Sequence, residues 1–393
     1  MAEQSQEEIY REKESISYFQ KLQSSLGGVL TGLILIPISL LLLWCNEGRS
    51  VDEYKTLKEA QKEYVRAPLE KIDSALEGKL VYVSGKVSVV GDVRDPLLGV
   101  VVNGVLALRR LVEMYQWAEK CTTKREQKLG GGEEVITECT YEKVWSSSAI
   151  DSSNFKKKQG HENPQKIYSQ EIFYSPEARL GVYRLNQEQI MKIAQWESYH
   201  LEENLISNIK IKTKTSIEGG KLYVGEDPQN PKIGDYRISL EVAYPKEASV
   251  IAVLQGDNLV PYVASSGASL SLASAGILPP ENLFAEAKRQ NRLTTWLLRF
   301  LGWLLLFIGL SLIINPLQKL VDFIPLLGSL VGLGLSVAAL AVSIVLASLT
   351  VALAWLFYRP LLSLAVLIVG LGVYLALGYL KKARSLANTK ASS

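Results

Sequence analysis

The sequence predicts an α+β multi-pass membrane protein with a large β-rich soluble domain between the first and second of four transmembrane helices. Two observations predict this class. Apolar residues make up 48% of the 393 residues and charged residues only 21%, which is an apolar excess for a soluble protein. The charges are also segregated. Residues 296–380 contain four charged side chains, whereas residues 46–295 contain 33 Lys and Arg against 34 Asp and Glu.

This charge distribution limits the function classes. An apolar excess excludes a disordered chain, and the segregation of charge excludes one uniform soluble globule. Domains that bind nucleic acid carry a basic excess. The nearly neutral balance of residues 46–295 therefore excludes nucleic acid as an expected partner, and the lipid bilayer is the partner that the composition predicts.

The first predicted transmembrane helix is residues 26–45, a run of 20 uncharged residues. At 1.5 Å per residue this helix spans about 30 Å, the thickness of the hydrocarbon core. The alternative is a cleaved signal peptide, which would have a basic start, a shorter apolar region and small residues at its end. The preceding 25 residues contain five acidic and three basic side chains, and the run ends in Trp44 and Cys45. We therefore expect a retained helix.

Three further spans are predicted in the C-terminal part, at residues 296–314, 326–356 and 361–380. We expect Pro316 to end the second span and Pro360 to separate the last two, because proline lacks an amide proton and disfavours helix just before it.

Polar and small residues in and beside these spans suggest local roles. Arg299, one turn into the second span, is expected to extend towards the membrane interface. Asp322 and Arg359 border the spans and are expected to be interfacial anchors. Two glycine pairs have the spacing that permits close helix packing: Gly28 with Gly32, and Gly328 with Gly332.

Four spans place both termini on one side of the membrane. Long domains are largely exempt from the positive-inside rule, so the short tails decide the orientation. The tails contain seven basic residues: Arg11, Lys13, Lys21, Lys381, Lys382, Arg384 and Lys390. The sequence thus predicts a cytoplasmic N-terminal tail (1–25), a lumenal or extracytoplasmic domain (46–295) and a basic cytoplasmic tail (381–393).

The soluble domain has mainly β signals. A helix is expected at 51–65, a strand at 78–87, and a long hairpin formed by 106–119 and 135–145 around Gly130–Gly132. Asn186 and Gln189 form a capping-box pattern that predicts a helix extending to about residue 208. Further strands are expected at 221–224, 235–244, 249–254 and 258–264, followed by a helix at 281–293 that continues into the second span.

Two cysteines lie nine residues on either side of Gly130 and so nearly face each other across the hairpin. Cys121 and Cys139 can form a cross-strand disulfide if the domain faces an oxidising compartment. The alternative is a pair of unrelated thiols. Cys45, at the membrane boundary, is expected to be a small interfacial apolar residue.

Signals of catalysis are few. The sequence has no metalloprotease His-Glu pair, serine-hydrolase elbow, phosphate-binding loop or CxxC motif. Its two histidines, His161 and His200, are too few for the usual zinc sites. We therefore expect no enzymatic activity, cofactor or metal. His161 and the preceding Lys156, Lys157 and Lys158 are candidate interaction residues, with a ligand or anionic lipids, although a hydrogen-bonding histidine and a solvated lysine loop are the commoner states.

Seven stretches are typical of one family in their combination, order and spacing. They are Asn46–Arg49, Leu108–Glu119, Gly160–Pro164, Asn230–Arg237, Gly256–Pro261, Leu320–Phe323 and Trp355–Pro360. On these stretches the sequence resembles the transmembrane protein 43 family, also called LUMA.

The resemblance implies four membrane helices, cytoplasmic termini and a lumenal domain. It also implies, in animals, residence in the endoplasmic reticulum and inner nuclear membrane, self-association, and association with lamina-linked proteins that organise the nuclear envelope. The family has no established catalytic residues. Cys121 and Cys139 depart from the animal pattern, so the disulfide is not implied by the family.

The leading functional hypothesis is a non-enzymatic membrane organiser or scaffold that forms homo-oligomers and binds protein or lipid partners. If the host is eukaryotic, we expect it in the endoplasmic reticulum and inner nuclear membrane; if bacterial, in the inner (plasma) membrane. Two alternatives remain open: an ion-conducting or transport protein, and a membrane-bound hydrolase that uses Asp, Glu or His161.

Overall fold

The computed structural model describes residues 9–128, 132–203, 209–321 and 325–360. Within these ranges the chain is a mixed α+β protein that divides into two compact units. The β unit takes the described residues within 9–15, 56–126 and 134–287. The helical unit takes those within 16–55, 127–133 and 288–360.

The described residues form four α-helices, two short 3-10 turns and 19 strands. The helices are α1 (Tyr18–Glu63), α2 (Gln187–Ile193), α3 (Pro280–Val321) and α4 (Pro325–Tyr358), and the 3-10 turns are Ser74–Leu76 and Ser152–Asn154. The strands are β1 (Ile9–Ile16), β2 (Val65–Arg66), β3 (Leu80–Val90), β4 (Asp92–Asp95), β5 (Val100–Asn103), β6 (Ala107–Gln127), β7 (Glu133–Ser146), β8 (Glu171–Tyr174), β9 (Glu177–Leu180), β10 (Tyr183–Arg184), β11 (Trp196–Tyr199), β12 (Thr215–Glu218), β13 (Lys221–Val224), β14 (Tyr236–Ala243), β15 (Glu247–Gln255), β16 (Asn258–Val260), β17 (Tyr262–Val263), β18 (Ser269–Leu270) and β19 (Leu272–Ala275).

The first sheet is built around the long hairpin. Its order is β1-β7-β6-β14-β13-β12, with β11 also paired to β14 and β8 to β6. β6 and β14 run antiparallel, from Ala107 opposite Ala243 to Met114 opposite Tyr236. Even-numbered side chains are buried from 108 to 116 in β6 and from 236 to 242 in β14. The apolar ones among them form a core with the residues of the β4–β5 hairpin. The period of two predicted for a strand with one buried face is therefore observed.

The second sheet closes on itself. Five of its strands pair in a cycle, β3-β15-β16-β10-β9 and back to β3. A closed sheet has no free edge between these strands. The core of the cycle contains Val83, Leu180, Tyr183 and Leu254, and residues of α2 pack against it.

A third core of the β unit uses both long helices. Leu57 and Ala60 of α1 and Leu283 and Phe284 of α3 pack with Ile251 of β15 and its neighbours on the second sheet. Leu57, Ala60 and Ile251 are fully buried and Phe284 is 1% exposed. The ends of α1 and α3 thus form part of the β unit, while the longer parts of both helices belong to the helical unit.

Three helices are long and apolar enough to cross a membrane: Tyr18–Glu63, Pro280–Leu320 and Val331–Tyr358. The predicted spans 26–45, 296–314 and 326–356 fall within α1, α3 and α4. The predicted fourth span, 361–380, the tail 381–393 and Asp322 lie outside the described residues.

Two of the predicted helix ends are wrong. α3 does not stop at Pro316 but continues to Val321 with the proline inside it, because a proline costs a helix only local hydrogen bonds and apolar packing can offset that loss. The helix that begins at Asn186 does have its capping box, yet it ends at Ile193. Trp196–Tyr199 instead pair with β14, a long-range contact that overrides the local helical pattern.

The N-terminal segment departs from the predicted tail. β1 pairs with β7 in the first sheet, and Arg11 forms an ion pair with Glu138 of that strand, with 3.0 Å between Nε and Oε1. Hydrogen-bonded strands occupy one compartment. This pairing and the predicted placement of tail 1–25 and domain 46–295 on opposite sides of a membrane therefore exclude each other. The pairing could not be predicted, because residues 9–16 are rich in charge and lack a clear alternation of apolar and polar residues.

Candidate functional site

The helical unit contains a buried ion pair among its apolar side chains. The Arg299 guanidinium of α3 donates two hydrogen bonds to the Glu47 carboxylate of α1, at 2.6 Å from Nε and 2.8 Å from Nη2. The indole Nε1 of Trp355 in α4 donates a third to the same carboxylate at 2.8 Å. Glu47 is fully buried. One carboxylate therefore joins α1, α3 and α4.

Arg299 was expected to extend towards the membrane interface, but it is turned inwards. Its side chain is only 18% exposed, and its guanidinium lies 4.9 Å from the ring centroid of Trp296 and 5.9 Å from that of Trp355. A bidentate pair with a carboxylate, stacked on aromatic rings, suits the planar guanidinium. The reason for the difference is Glu47, whose approach to Arg299 cannot be read from local sequence.

A second polar group lies one turn along α1. Arg49 donates to the side chains of Glu53, Asn46 and Thr295, at 2.7, 3.1 and 3.1 Å. Asn46 in turn donates from Nδ2 to the Thr295 carbonyl at 3.0 Å, and Asn291 of α3 donates to the Ser50 carbonyl at 2.9 Å. We call the residues Asn46, Glu47, Arg49, Asn291, Thr295, Arg299 and Trp355 the polar layer. Hydrogen bonds of this kind strengthen and orient helix packing in apolar surroundings.

Glycines allow the helices of this unit to approach closely. A Cβ added to Gly32 would lie 2.5 Å from the carbonyl oxygen of Gly309 in α3, and one added to Gly28 would contact Leu312. A Cβ on Gly48 would lie 2.8 Å from the Tyr358 ring. These glycines thus serve contacts within the chain. Gly332 of α4 lies against Gln318, while the surroundings of Gly328 are outside the described side chains.

The sequence-predicted cysteines meet in the β unit. Cys121 of β6 and Cys139 of β7 form a disulfide, with their Cα atoms 4.0 Å apart. Glu119 lies beside the sulfurs and is the third member of a possible metal-ligand group. A disulfide sulfur has no thiolate to offer a metal. In its bonded form the group is therefore a covalent link between strands and not a metal site.

His161 is part of an aromatic cluster beneath the loop that precedes it. It is 2% exposed, stacks on Tyr141 with ring centroids 4.0 Å apart, and meets the edge of Trp117 at 4.6 Å. Tyr141 donates to Glu119 at 2.7 Å. Burial, aided by this hydrogen bond to Glu119, raises the pKa of Tyr141 to about 12. A buried, stacked imidazole in such surroundings fixes the loop rather than offering a solvent-accessible base.

The three lysines before His161 also contact the hairpin. The amide of Lys156 donates to Glu119 at 2.5 Å, and the amide of Lys157 donates to the Tyr141 hydroxyl at 2.8 Å. The Lys156 ammonium pairs with Glu12 of β1 at 3.0 Å, which raises its pKa. The Lys158 carbonyl accepts from the His161 amide at 2.9 Å. Hydrogen bonds thus fix the backbone of residues 156 and 157 against the hairpin of β6 and β7.

Sequence reasoning missed the most buried ion pair of the β unit. Arg110 is 3% exposed and donates from Nη1 to Asp95, 1% exposed, at 2.5 Å. Asp95 also accepts from the amides of Leu97 and Leu98, and Arg110 further donates to Glu171. The only available signal was an arginine at an inward-facing position of β6, since Leu108 and Val112 flank it at a spacing of two.

Three apolar helices and a large β-rich domain define this chain as an α+β integral membrane protein. Residues 114–360 match the family model described as transmembrane protein 43. The chain belongs to the transmembrane protein 43 family.

Several relatives support the same assignment. The human transmembrane protein 43 is 33% identical over 297 residues, which cover 72% of this chain and 73% of that protein. The mouse protein is 32% identical with the same coverage, and the Drosophila melanogaster homolog is 30% identical over 73% of this chain and 76% of its own length. These names describe a membrane protein and mention no reaction. No solved structure matches the chain.

The family stretches come together in the structure. Asn46–Arg49 and Trp355–Pro360 meet at the polar layer, through Glu47 with Trp355 and Gly48 with Tyr358. In the β unit, Asn163 of the stretch Gly160–Pro164 makes two hydrogen bonds with the backbone of Trp117 in β6. The resemblance identified these stretches, but only the structure shows which of them are in contact.

Proposed function

We propose that this chain is a non-enzymatic membrane organiser of the transmembrane protein 43 type. Its apolar helices associate with those of other copies, and its β unit binds protein or lipid partners. In a eukaryotic host we place it in the endoplasmic reticulum and inner nuclear membrane, with lamina-associated partners; in a bacterium, in the inner membrane. The proposal includes four spans, with residues 361–380 as the last.

The observation that carries this proposal is the division of α4 into two kinds of surface. Ala339, Ser343 and Ala354 are fully buried inside the helical unit, whereas Val345 is 63% and Phe357 71% exposed. In a bilayer, an outward apolar face gains little by leaving lipid, so helices associate through close packing. The outward face of α4 has small exposed residues among larger aliphatic ones: Gly334, Ala338 and Ala341. Small residues permit close packing between copies.

Cysteine crosslinking in native membranes tests self-association. In a Cys45→Ser background, single cysteines are placed at Val345, Val337 and Leu333, which are 63%, 59% and 67% exposed. We expect a crosslinked dimer with at least one of these positions. The control is Ala339→Cys, because Ala339 is fully buried within one chain. A monomer at every outward position, at native expression levels, would remove the self-association part of the proposal.

A separate experiment decides the sides of the membrane. If residues 26–45 of α1 cross the membrane once, residues 9–16 and the β unit face opposite sides; if β1 pairs with β7, they face the same side. Glycosylation acceptor sequences (Asn-x-Ser/Thr) are inserted at residue 9 in one variant and beside Gly160 in another, and both are expressed in microsomes. Modification only at the second position would support the proposed crossing and would exclude the β1–β7 pairing of this structure. Modification at both would show that α1 does not cross as proposed.

A further inference from the structure

The β unit has a concave surface on the outer face of its first sheet. Leu111 and Glu113 of β6 and Ser239 and Glu241 of β14 lie on the face away from the apolar core and are only partly buried. Over them lies a cavity of about 460 Å³, whose floor includes Leu111, Glu113 and Ser239. The end of β11 with His200, and the turn at 219–220 with Lys221, form part of its wall. This size falls within the range of sites for small molecules. We call it the sheet cavity.

Most polar side chains of the sheet cavity have no hydrogen-bond partner within the described protein. In the described ranges, six of them form no hydrogen bond or ion pair with the rest of the chain: Glu113, Gln170, Ser198, His200, Lys221 and Ser239. Other charged groups of the same unit are paired, as in Arg110 with Asp95 and Arg109 with Glu241. Donors and acceptors that converge on one concave space without partners are suited to bind a ligand.

The chemistry of these groups defines the class of ligand. Glu113 and Lys221 balance each other in formal charge, and Glu241 at the edge is paired with Arg109 at 2.8 Å. The cavity therefore has no charge excess to attract a phosphate or a polyamine. Its hydroxyls and amide both donate and accept hydrogen bonds, and Leu111 adds carbon surface. A ligand that matches has many hydroxyl groups, no net charge and some exposed C–H surface.

A second, smaller cavity of about 150 Å³ adjoins the first, because Lys221 lines both. Its lining includes Tyr223 and Arg237. The Arg237 guanidinium lies 4.1 Å from the ring centroid of Trp145, and Tyr115 packs beside that indole at 5.0 Å. This stacking holds the Arg237 side chain in place at the wall of the smaller cavity. The two cavities together extend the binding surface beyond the size of one sugar ring.

The rim beside His200 is also held in place. Gly219 and Gly220 have φ values of +57° and +77°, which L side chains rarely adopt. A Cβ on Gly220 would overlap the His200 imidazole. The absence of a side chain at Gly220 therefore allows the imidazole to lie against the turn at the mouth of the cavity.

We propose that the sheet cavity binds a neutral oligosaccharide. Glu113, Gln170, Ser239 and Lys221 hydrogen-bond its hydroxyl groups, and Arg237 at the wall of the smaller cavity contacts a neighbouring sugar unit. The proposal gives the β unit a ligand class of its own and does not depend on self-association of the helices.

The test uses the full-length protein in lipid nanodiscs, since glycosidic detergents would themselves compete for the site. Binding of defined probes is measured by saturation-transfer NMR and calorimetry: maltoheptaose, chitotetraose and mannopentaose as neutral sugars, a sulfated heparin oligosaccharide and a neutral extended peptide as competitors. We expect at least one neutral sugar to bind and the other two classes to bind more weakly. Tighter binding of the peptide or the heparin oligosaccharide, or no sugar binding at millimolar concentration, would overturn the proposal.

Two variants test whether the sugar binds in the sheet cavity. Ser239→Ala removes a hydroxyl group and Glu113→Ala removes a carboxylate acceptor from the floor, and each is expected to weaken sugar binding roughly 3–10-fold. The matched control is Lys232→Ala, whose exposed side chain pairs with Glu226 outside the cavity and whose loss should not change binding. Unchanged hydrogen exchange of β6 and β14 verifies that each variant is folded. Sugar binding that is equally strong in both floor variants and the control would place the ligand elsewhere and refute the site.

Discussion

Both units of the molecule contain a buried arginine–carboxylate pair, and the two pairs differ in how they are completed. In the β unit, Arg110 pairs with Asp95, whose carboxylate also accepts two backbone amides at the turn after β4. In the helical unit, Arg299 pairs with Glu47, whose remaining partner is the Trp355 indole of a third helix. The first pair fixes a turn to a neighbouring strand, whereas the second joins three helices that are far apart in sequence.

The two ion pairs contribute differently to the stability of their units. A buried ion pair is often no more stabilising than apolar packing of the same volume, but removing one partner leaves a costly unpaired charge. In the β unit the geometry is supported by many apolar and backbone contacts around it. In the helical unit the same chemistry supplies much of the directional contact between helices, because apolar side chains alone do not orient them strongly in lipid. Four predictions test this distinction.

The largest effect is expected in the β unit. Arg110→Met should lower the free energy of unfolding of this unit by about 3–5 kcal/mol, because it leaves the Asp95 carboxylate buried without its cation. The measurement is hydrogen exchange of peptides from β4 and β6 in the full-length protein. The control is Lys232→Met, which removes an exposed pair with Glu226 and should cost less than about 1 kcal/mol. If both substitutions changed hydrogen exchange equally, burial would not explain the larger effect expected at Arg110.

A smaller effect is expected in the helical unit. Arg299→Met should reduce its stability by about 1.5–3 kcal/mol, the usual value of hydrogen bonds to a charged group, because Arg299 retains some exposure and Glu47 keeps the Trp355 bond. The readout is the midpoint of unfolding by sodium dodecyl sulfate, followed by circular dichroism. Arg292→Met, at an exposed position of α3, is the matched control. If Arg299→Met also changed the hydrogen exchange of β4 and β6, the two ion pairs would not stabilise separate units.

The third prediction asks whether close packing matters as much as the ion pair. Gly32→Ala should destabilise the contact of α1 with α3 by about 1–2 kcal/mol, because the added methyl would meet the Gly309 carbonyl at 2.5 Å. Gly27→Ala enters open space and should be neutral or slightly stabilising, since alanine is the better helix former. The same detergent titration measures both. A Gly32→Ala protein as stable as Gly27→Ala would show that this contact is not tight.

The smallest effect concerns an exposed carboxylate. Hydrogen bonds from Ser265 and Tyr262 lower the pKa of Glu59 below its usual 4.5. A lowered folded-state pKa means that this contribution to stability is present above pH 4.5 and is lost as the pH falls through the folded-state value. Protection of residues 258–270 from hydrogen exchange, corrected for intrinsic rates, should therefore decrease on acidification.

A substitution isolates this contribution. Glu59→Gln should abolish the acid-dependent part of the protection while retaining a side chain of the same size. Glu70→Gln, at an exposed position, is the control and should behave like the unmodified chain. Acid dependence that persists in Glu59→Gln would assign it to another group.

Local features of the fold could be predicted from the sequence, whereas long-range contacts could not. The apolar runs predicted segments inside all three described long helices, and the capping box at Asn186 predicted the start of α2. The end of α2 was wrong because β14 recruits Trp196–Tyr199 as a strand. A partner strand more than 40 residues away leaves no trace in the local pattern.

In the candidate sites, too, contacts close in sequence could be predicted and distant ones could not. The hairpin symmetry around Gly130 predicted that Cys121 and Cys139 would face each other, because a hairpin relates residues close in sequence. The polar layer could not be assembled in this way, since Glu47 and Arg299 are 252 residues apart. Similarly, the sheet cavity combines residues from six separate segments, none of which has a recognisable motif.

The separation between Glu47 and Arg299 also has a consequence for synthesis of the chain. At roughly 5–20 residues per second, the ribosome needs roughly 13–50 s to add the 252 residues between them. During that interval α1 is already made while its carboxylate has neither the guanidinium nor the indole. The β unit lies almost entirely within this stretch and can fold first. Newly made α1 therefore depends on water, lipid head groups or an insertion factor to shelter Glu47 until α3 arrives.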